Sequence, residues 1–266
     1  MSIRPTLNVE LHCHTVYSMD GLMSFEALLR TASAVGLDAL AITDHDTLEG
    51  AIEFQRLART RDVPLQIIAG EEKTLEDGSH LIGLFLRRPI ESGKLQEAIG
   101  EIEDQGGFCL IPHPFRPRDG LFRDGLDRLP LLENRPAGFE IFNAKCSFAE
   151  NRKAAELLAT KLAPFGGSDA HYESDLGECV NAIAWEGDLR TSIQRLLERR
   201  APLQILGKPQ REQDGERTYA PLYYRVKKYL ELPKLLVPAA RQGYRYYRNW
   251  KCGVGRKPLR EVYRHA

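Results

Sequence analysis

No stretch of the 266-residue chain approaches the roughly 18 consecutive apolar residues of a membrane-spanning helix, and residues 1–10 lack a basic segment followed by an apolar one. The sequence therefore reads as soluble and unexported. Cysteine is sparse: Cys13, Cys109, Cys146, Cys179 and Cys252 are scattered and odd in number, with no Cys-x-x-Cys pair. That excludes a zinc ribbon or dithiol redox motif, and it points to a reducing cytoplasm without structural disulfides. A Gly-x-Ser-x-Gly elbow is also missing, so nothing signals a covalent serine mechanism. Net charge is zero, but only by cancellation: residues 208–266 hold 15 Lys and Arg against 5 Asp and Glu, and the rest of the chain carries the matching acidic excess. The two parts are expected to do different jobs.

What is present is an alternation of strand-like and helix-like segments. Asn8-Val9-Glu10-Leu11 reads as a first strand, followed by helical spacing over 25–32 behind the candidate cap Ser24, with Gly36 as its stop. The apolar run 39–43 suits a strand buried on both faces, and a helix is expected over 50–59. Strands follow at 65–69, 80–85, 108–111 and 139–142, with helices near 94–105 and 151–161, and 163–167 leads into the last motif. Such alternation favours an α/β barrel or a doubly wound sheet, and polar chemistry at successive strand ends favours the barrel. The pattern fails after Ile205. The expected organisation is a barrel over 1–206 and a linker with a basic, aromatic extension over 207–266.

Six of the seven histidines lie in five short segments: Leu11-His12-Cys13-His14, Thr43-Asp44-His45-Asp46, Ser79-His80-Leu81, Pro112-His113-Pro114 and Ser168-Asp169-Ala170-His171. Carboxylates accompany them at Asp20, Glu72 and Asp169, giving a mixed nitrogen and oxygen donor set suited to first-row metals. Residues two apart on a strand share a side, so His12 with His14 and Asp169 with His171 can each enter one pocket. Of the adjacent Glu71 and Glu72 only one can point inward, and the other is expected in solvent. Asp44 is expected to orient His45, and Asp46 to form a turn or cap the helix that begins at Thr47-Leu48-Glu49. Flanking prolines hold the backbone of His113.

The ordered set His-x-His, Ser-x-Asp-Gly, Thr-Asp-His, Gly-x-Glu, His, His-Pro and Gly-Ser-Asp-Ala-His resembles the PHP (polymerase and histidinol phosphatase) family of metal-dependent phosphoesterases over residues 7–185. Phe139-Glu140-Ile141-Phe142-Asn143-Ala144 with Asn151 is similar to the segment that accompanies PHP modules. The resemblance implies a distorted (β/α)7 barrel and three divalent ions (Mn, Zn or Fe). It assigns His12, His14, Glu72 and Asp169 to one metal, His80 and His113 with a bridging Glu72 to a second, and Asp20, His45 and His171 to a third. The implied chemistry is hydrolysis of a phosphate ester by a metal-bound hydroxide, with Glu72, Asp169 and His171 as the catalytic group.

Substrate contacts are expected from Arg116, whose planar fork suits phosphate, and from Asn143. A small nucleotide, bisphosphonucleotide or short RNA is the expected substrate. The extension is expected either to fold back on the acidic barrel or to touch RNA or an anionic membrane, and no obligate protein partner is implied. The alternatives are a histidinol-phosphate-like phosphatase, an amidohydrolase-type metal hydrolase, and a metal-stabilised binding module whose tail binds nucleic acid or membrane.

Overall fold

A computed structural model describes residues 6–198, 203–208 and 260–265. In chain order its elements are β1 (Thr6–Cys13), α1 (Phe25–Val35), β2 (Ala39–His45), α2 (Glu49–Thr60), β3 (Gln66–Thr74), β4 (His80–Leu84), α3 (Leu95–Asp104), β5 (Phe108–Ile111), β6 (Ala137–Asn143), α4 (Phe148–Leu158), β7 (Ala163–Gly167), β8 (Cys179–Ala184), α5 (Leu189–Leu197), β9 (Leu203–Gly207) and β10 (Arg260–His265). The strands form one mixed sheet in the order β10-β9-β8-β1-β2-β3-β4-β5-β6-β7. Pairing is parallel in β1-β2-β3 and β5-β6-β7 and antiparallel elsewhere.

The sheet curls into a half-barrel whose ends are joined by a side chain and a short backbone bridge rather than by a full strand ladder. Asn181 of β8 donates from Nδ2 to the Gly166 carbonyl of β7 (2.7 Å) and to the Val9 carbonyl of β1 (3.1 Å), while its Oδ1 accepts from Gly166 N–H (2.7 Å). Just beyond, His14 N–H donates to the Ala170 carbonyl at 2.8 Å. The first and last barrel strands are thereby brought together, and the residues after their C-terminal ends face one mouth.

Local chemistry explains most elements. Ser24 caps α1 through its side chain, and Gly36 ends it in the left-handed conformation at φ 74°. Helix α4 starts at Phe148, three residues before the expected start, because Ser147 and Glu150 form a reciprocal capping box. The strict alternation expected from sequence breaks between β3 and β4, which form an antiparallel hairpin. Five residues separate these strands, enough for a turn but too few for a crossover helix. Between β5 and β6 only a single 3-10 turn (Leu129–Leu131) intervenes.

The central strands are buried from both sides: β2 is covered by helices outside and barrel side chains inside, with Ala39, Leu40, Ala41 and Ile42 all fully buried. Residues 260–265, within the expected extension, pair with β9 as an edge strand. The linker and most of the basic, aromatic stretch lie outside the described residues. Among the described residues no helix is long and apolar enough to cross a membrane.

The β3–β4 turn presents His80 and is held by Asp77. Its Oδ1 accepts from Ser79 N–H (3.1 Å) and Ser79 Oγ–H (2.6 Å), and Arg128 lies 2.6 Å from Oδ2. Burial raises this carboxyl, but the Ser79 and Arg128 interactions outweigh it and hold the group below its ordinary value of 3.8. A depressed carboxyl stabilises the fold above that value and loses the contribution as acid protonates it. Asp77→Asn is therefore expected to cost about 1 kcal/mol at neutral pH, the partly exposed pair being screened by water. In denaturant titrations the gap should close as pH falls below 3.8; a gap independent of pH contradicts this reading.

Candidate metal centre

His12 lies near the C-terminal end of β1 and His14 just past it, both fully buried, with their Nε2 atoms 3.1 Å apart. This is the same-side geometry expected for residues two apart. Glu72, near the end of β3, stands at the centre. Its Oε2 is 3.3 Å from His12 Nε2, 3.2 Å from His14 Nε2 and 3.3 Å from His45 Nδ1. Its Oε1 is 2.9 Å from both His80 Nδ1 and His113 Nε2. One carboxylate thus meets five imidazoles delivered by four separate segments.

Asp169 closes the other side. Its Oδ1 lies 3.5 Å from His12 Nε2, His14 Nε2 and His171 Nδ1, and Arg116 Nη1 donates to its Oδ2 at 2.8 Å. His171 Nε2 approaches Asp20 Oδ2 at 3.1 Å, and His45 Nε2 reaches the same oxygen at 3.5 Å. His113 and Asp169 adopt φ of 30° and 50°, values that non-glycine residues seldom take and that surrounding contacts must enforce.

These side chains form four overlapping groups able to hold a cation: His14-Asp20-His45-His171, His12-His113-Asp169, His12-His14-Glu72 and His45-Glu72-His80. All nine residues expected as ligands occur in them. The groups share members instead of dividing into three separate sets, since His45 also joins Glu72 and His80, and His113 also joins His12 and Asp169.

The electrostatics suit a cation. Burial opposes charge on His12, yet Glu72, Asp169 and Glu140 together push its imidazole well above 6.5. Burial likewise opposes charge on His45, but Glu72 and Asp20 raise it to about 9. Glu72 and Asp169, despite burial, are held well below the usual carboxylate range, Glu72 by His80, His12 and His45, and Asp169 by His12 and Arg116. Asp20 Oδ1 is buried with no hydrogen-bond partner among the described residues, and His45 Nδ1 faces Glu72 Oε2 without hydrogen-bond geometry. Convergent imidazole and carboxylate groups of mixed nitrogen and oxygen type, which hold protons in place of a cation, fit divalent first-row ions that would displace those protons.

Several expectations are corrected. Glu71 is not in solvent: it is fully buried on the opposite side of β3, accepts from Ile90 N–H at 2.9 Å, and is raised to about 7 by that burial. Asp44 does not orient His45, because it points across to the segment after β1 and accepts from Thr15 N–H and Thr15 Oγ–H, both at 2.6 Å. Asp46 does not cap α2; it accepts from Thr74 N–H at 3.0 Å and pins the end of β3. Asn143, expected beside the substrate, is fully buried with both ends of its amide bonded inside the wall, to Glu140 (2.7 Å) and Lys145 N–H (2.7 Å). Arg116 is held beside the candidate ligands by Asp119 (2.5 Å) and Asp169 (2.8 Å).

Sequence reasoning gave no role to Glu10 and singled out Glu140 only within a motif. Glu10 Oε1 accepts from the N–H groups of Leu11, His12 and Ser168 at 3.0–3.1 Å. Glu140 Oε1 lies 2.8 Å from His12 Nδ1. The available signal was a lone charge within an apolar strand, which must find partners when buried. Gly167 leaves the room: a Cβ there would stand 1.8 Å from Glu140 Oε1.

The profile of the PHP domain matches residues 10–166, and that of the PHP-associated segment matches residues 148–199. An uncharacterized protein of Methanocaldococcus jannaschii is 32% identical over 149 residues, which take in 52% of this chain and 82% of that protein. Among solved structures, a two-domain protein from Bacteroides vulgatus containing a predicted PHP-like metal-dependent phosphoesterase superposes with a TM-score of 0.59 at 23% identity, over 77% of this chain and 66% of that one. A lesion-specific endonuclease from Pyrococcus furiosus superposes with a TM-score of 0.57 at 14% identity, over 73% of this chain and 56% of that one. At these identities the structural likeness concerns the fold.

Proposed function

The chain belongs to the PHP domain family, and from that premise we propose that it is a metal-dependent phosphoesterase acting on a small nucleotide, bisphosphonucleotide or short oligonucleotide. The observation that carries this reading is the convergence of five imidazoles on Glu72, with Asp169, Asp20 and His171 completing the ring. When bound, divalent ions would polarise the phosphoryl oxygens and lower the pKa of an attacking water.

The chain's own part is to hold that assembly rigid. Glu72 would offer both carboxylate oxygens to the ions, Asp169 is pinned by Arg116, and His171 Nδ1 faces the Asp169 carbonyl at 2.8 Å, which presents Nε2 toward Asp20. We assign the phosphate contact to Arg116, whose side chain is anchored twice beside Asp169 yet remains 23% exposed. Nucleotide-type substrates come first because Gly70-x-Glu72 and His80-Leu81-Ile82-Gly83-Leu84-Phe85 resemble the nucleotide-acting relatives. A cytoplasmic setting is supported by four buried free cysteines, Cys13, Cys109, Cys146 and Cys179.

The test is a turnover screen of Mn- and Zn-loaded protein against mononucleotides, bisphosphonucleotides, short RNA, and sugar or amino-alcohol phosphates. Activity on the nucleotide set supports the proposal, and inactivity on every phosphoester ends it. Arg116→Ala is expected to lower kcat/KM about 10- to 100-fold, the loss of a charge-assisted phosphate contact. Arg116→Lys should recover little, since a point charge cannot keep both carboxylate bonds and face the substrate. Unchanged kcat/KM in Arg116→Ala removes the residue from the substrate site.

A further inference from the structure

The motif Phe139-Glu140-Ile141-Phe142-Asn143 supplies none of the nine candidate ligands, yet its charged residue sits fully buried directly behind them. Glu140 makes three contacts there. Oε1 lies 2.8 Å from His12 Nδ1, and Oε2 accepts from His113 N–H (2.5 Å) and from Asn143 Nδ2 (2.7 Å). Asn143 is held in turn by α4: Asn151 Oδ1 accepts from Asn143 N–H (2.9 Å), and Asn151 Nδ2 donates to the Asn143 carbonyl (3.1 Å). A continuous hydrogen-bonded path therefore runs from α4, through the end of β6, to two histidines on β1 and after β5.

Each contact has a consequence. A carboxylate accepting from His12 Nδ1–H leaves the lone pair on Nε2, the atom that faces His14, Glu72 and Asp169. The bond to His113 N–H secures a backbone whose φ of 30° would otherwise relax. Because Glu140 Oε2 serves both His113 and Asn143, a shift of either moves the acceptor of the other.

We propose that Glu140 is the positioning residue of this centre, selecting the tautomer of His12 and fixing the backbone of His113, with Asn143 and Asn151 as its brace. This rests on the metal-centre reading above. It also gives the PHP-associated segment, whose match begins at residue 148, a task at the pocket: Asn151 is its contribution to the brace.

The experiment uses the full chain and its Glu140→Gln and Asn151→Ala variants. Zn(II) affinity is read by chelator competition, and the His12 tautomer by ring nitrogen shifts in the metal-free protein at alkaline pH, where the imidazole, held above its ordinary value by its carboxylate neighbours, is neutral. Glu140→Gln keeps size but turns an N–H donor toward one of its own donors; a 10- to 100-fold weaker Zn(II) affinity and a mixed His12 tautomer are expected. Asn151→Ala should change both in the same direction by less. Folded variants with wild-type affinity and an unaltered tautomer overturn the proposal. Should Glu140→Gln fail to fold, Asn151→Ala decides alone, and wild-type values in it overturn the brace. If the wild-type chain retains no divalent ion, the metal-centre reading falls, while the tautomer in metal-free protein still decides for or against Glu140.

Discussion

Glu72→Gln is expected to leave the fold intact and to reduce phosphoester turnover at least about a thousandfold, with loss of tightly held metal. The substitution is nearly isosteric, and the side chain packs against imidazoles instead of core hydrocarbons, so the hydrophobic cluster is untouched. What changes is charge and lone pairs. Oε2 stands 3.2–3.3 Å from three imidazole nitrogens and Oε1 2.9 Å from two more. An amide offers one acceptor and turns two N–H bonds toward nitrogens that must themselves donate lone pairs to an ion. Metal analysis after gel filtration, with kcat/KM on the best phosphoester of the screen, gives the readout. Metal content and turnover within tenfold of wild type would remove Glu72 from the centre.

Gly167→Ala should produce the second large effect through steric contact alone. The added methyl would fall 1.8 Å from Glu140 Oε1 and 3.1 Å from the Cβ of His12. Glu140 cannot retreat, since it is fully buried and bonded at three points. The clash is expected to cost about 1–3 kcal/mol of stability by overpacking. Displacement of Glu140 should weaken metal affinity about 100-fold, the upper end for disturbing a residue that orients ligands. Gly100→Ala in α3 is the control: nothing lies within 4 Å of its Cβ position, and it should be neutral or stabilising by up to about 1 kcal/mol. If Gly167→Ala matches Gly100→Ala in both stability and metal affinity, the packing around Glu140 is not as described.

The strands and helices up to β7 were legible because a barrel buries parallel strands on both faces and helices on one, and each leaves its own period in the apolar residues; β8, α5, β9 and β10 were not read. The nine candidate ligands were legible because strand ends collect polar residues that a core would exclude. Adjacent positions on a strand tell which residues share a side, as with His12 and His14, but not what lies across from them. That is why Glu71 was expected in solvent, when the far side of β3 is covered by the segment carrying Ile90. It is also why Asp44 was paired with its neighbour His45 instead of with Thr15, 29 positions away. Glu140, 128 positions from His12, could be seen as an oddity of composition but not as a partner. The β3–β4 hairpin escaped because a run of turn residues interrupts alternation only over a few positions.

The most direct test is anomalous diffraction from crystals of the full chain grown with Zn(II) or Mn(II). The account expects peaks within the ring of His12, His14, Asp20, His45, Glu72, His80, His113, Asp169 and His171, each at about 2 Å from several of their nitrogen and oxygen atoms. A protein that crystallises in the same fold with no peak inside that ring, under excess metal, would contradict it.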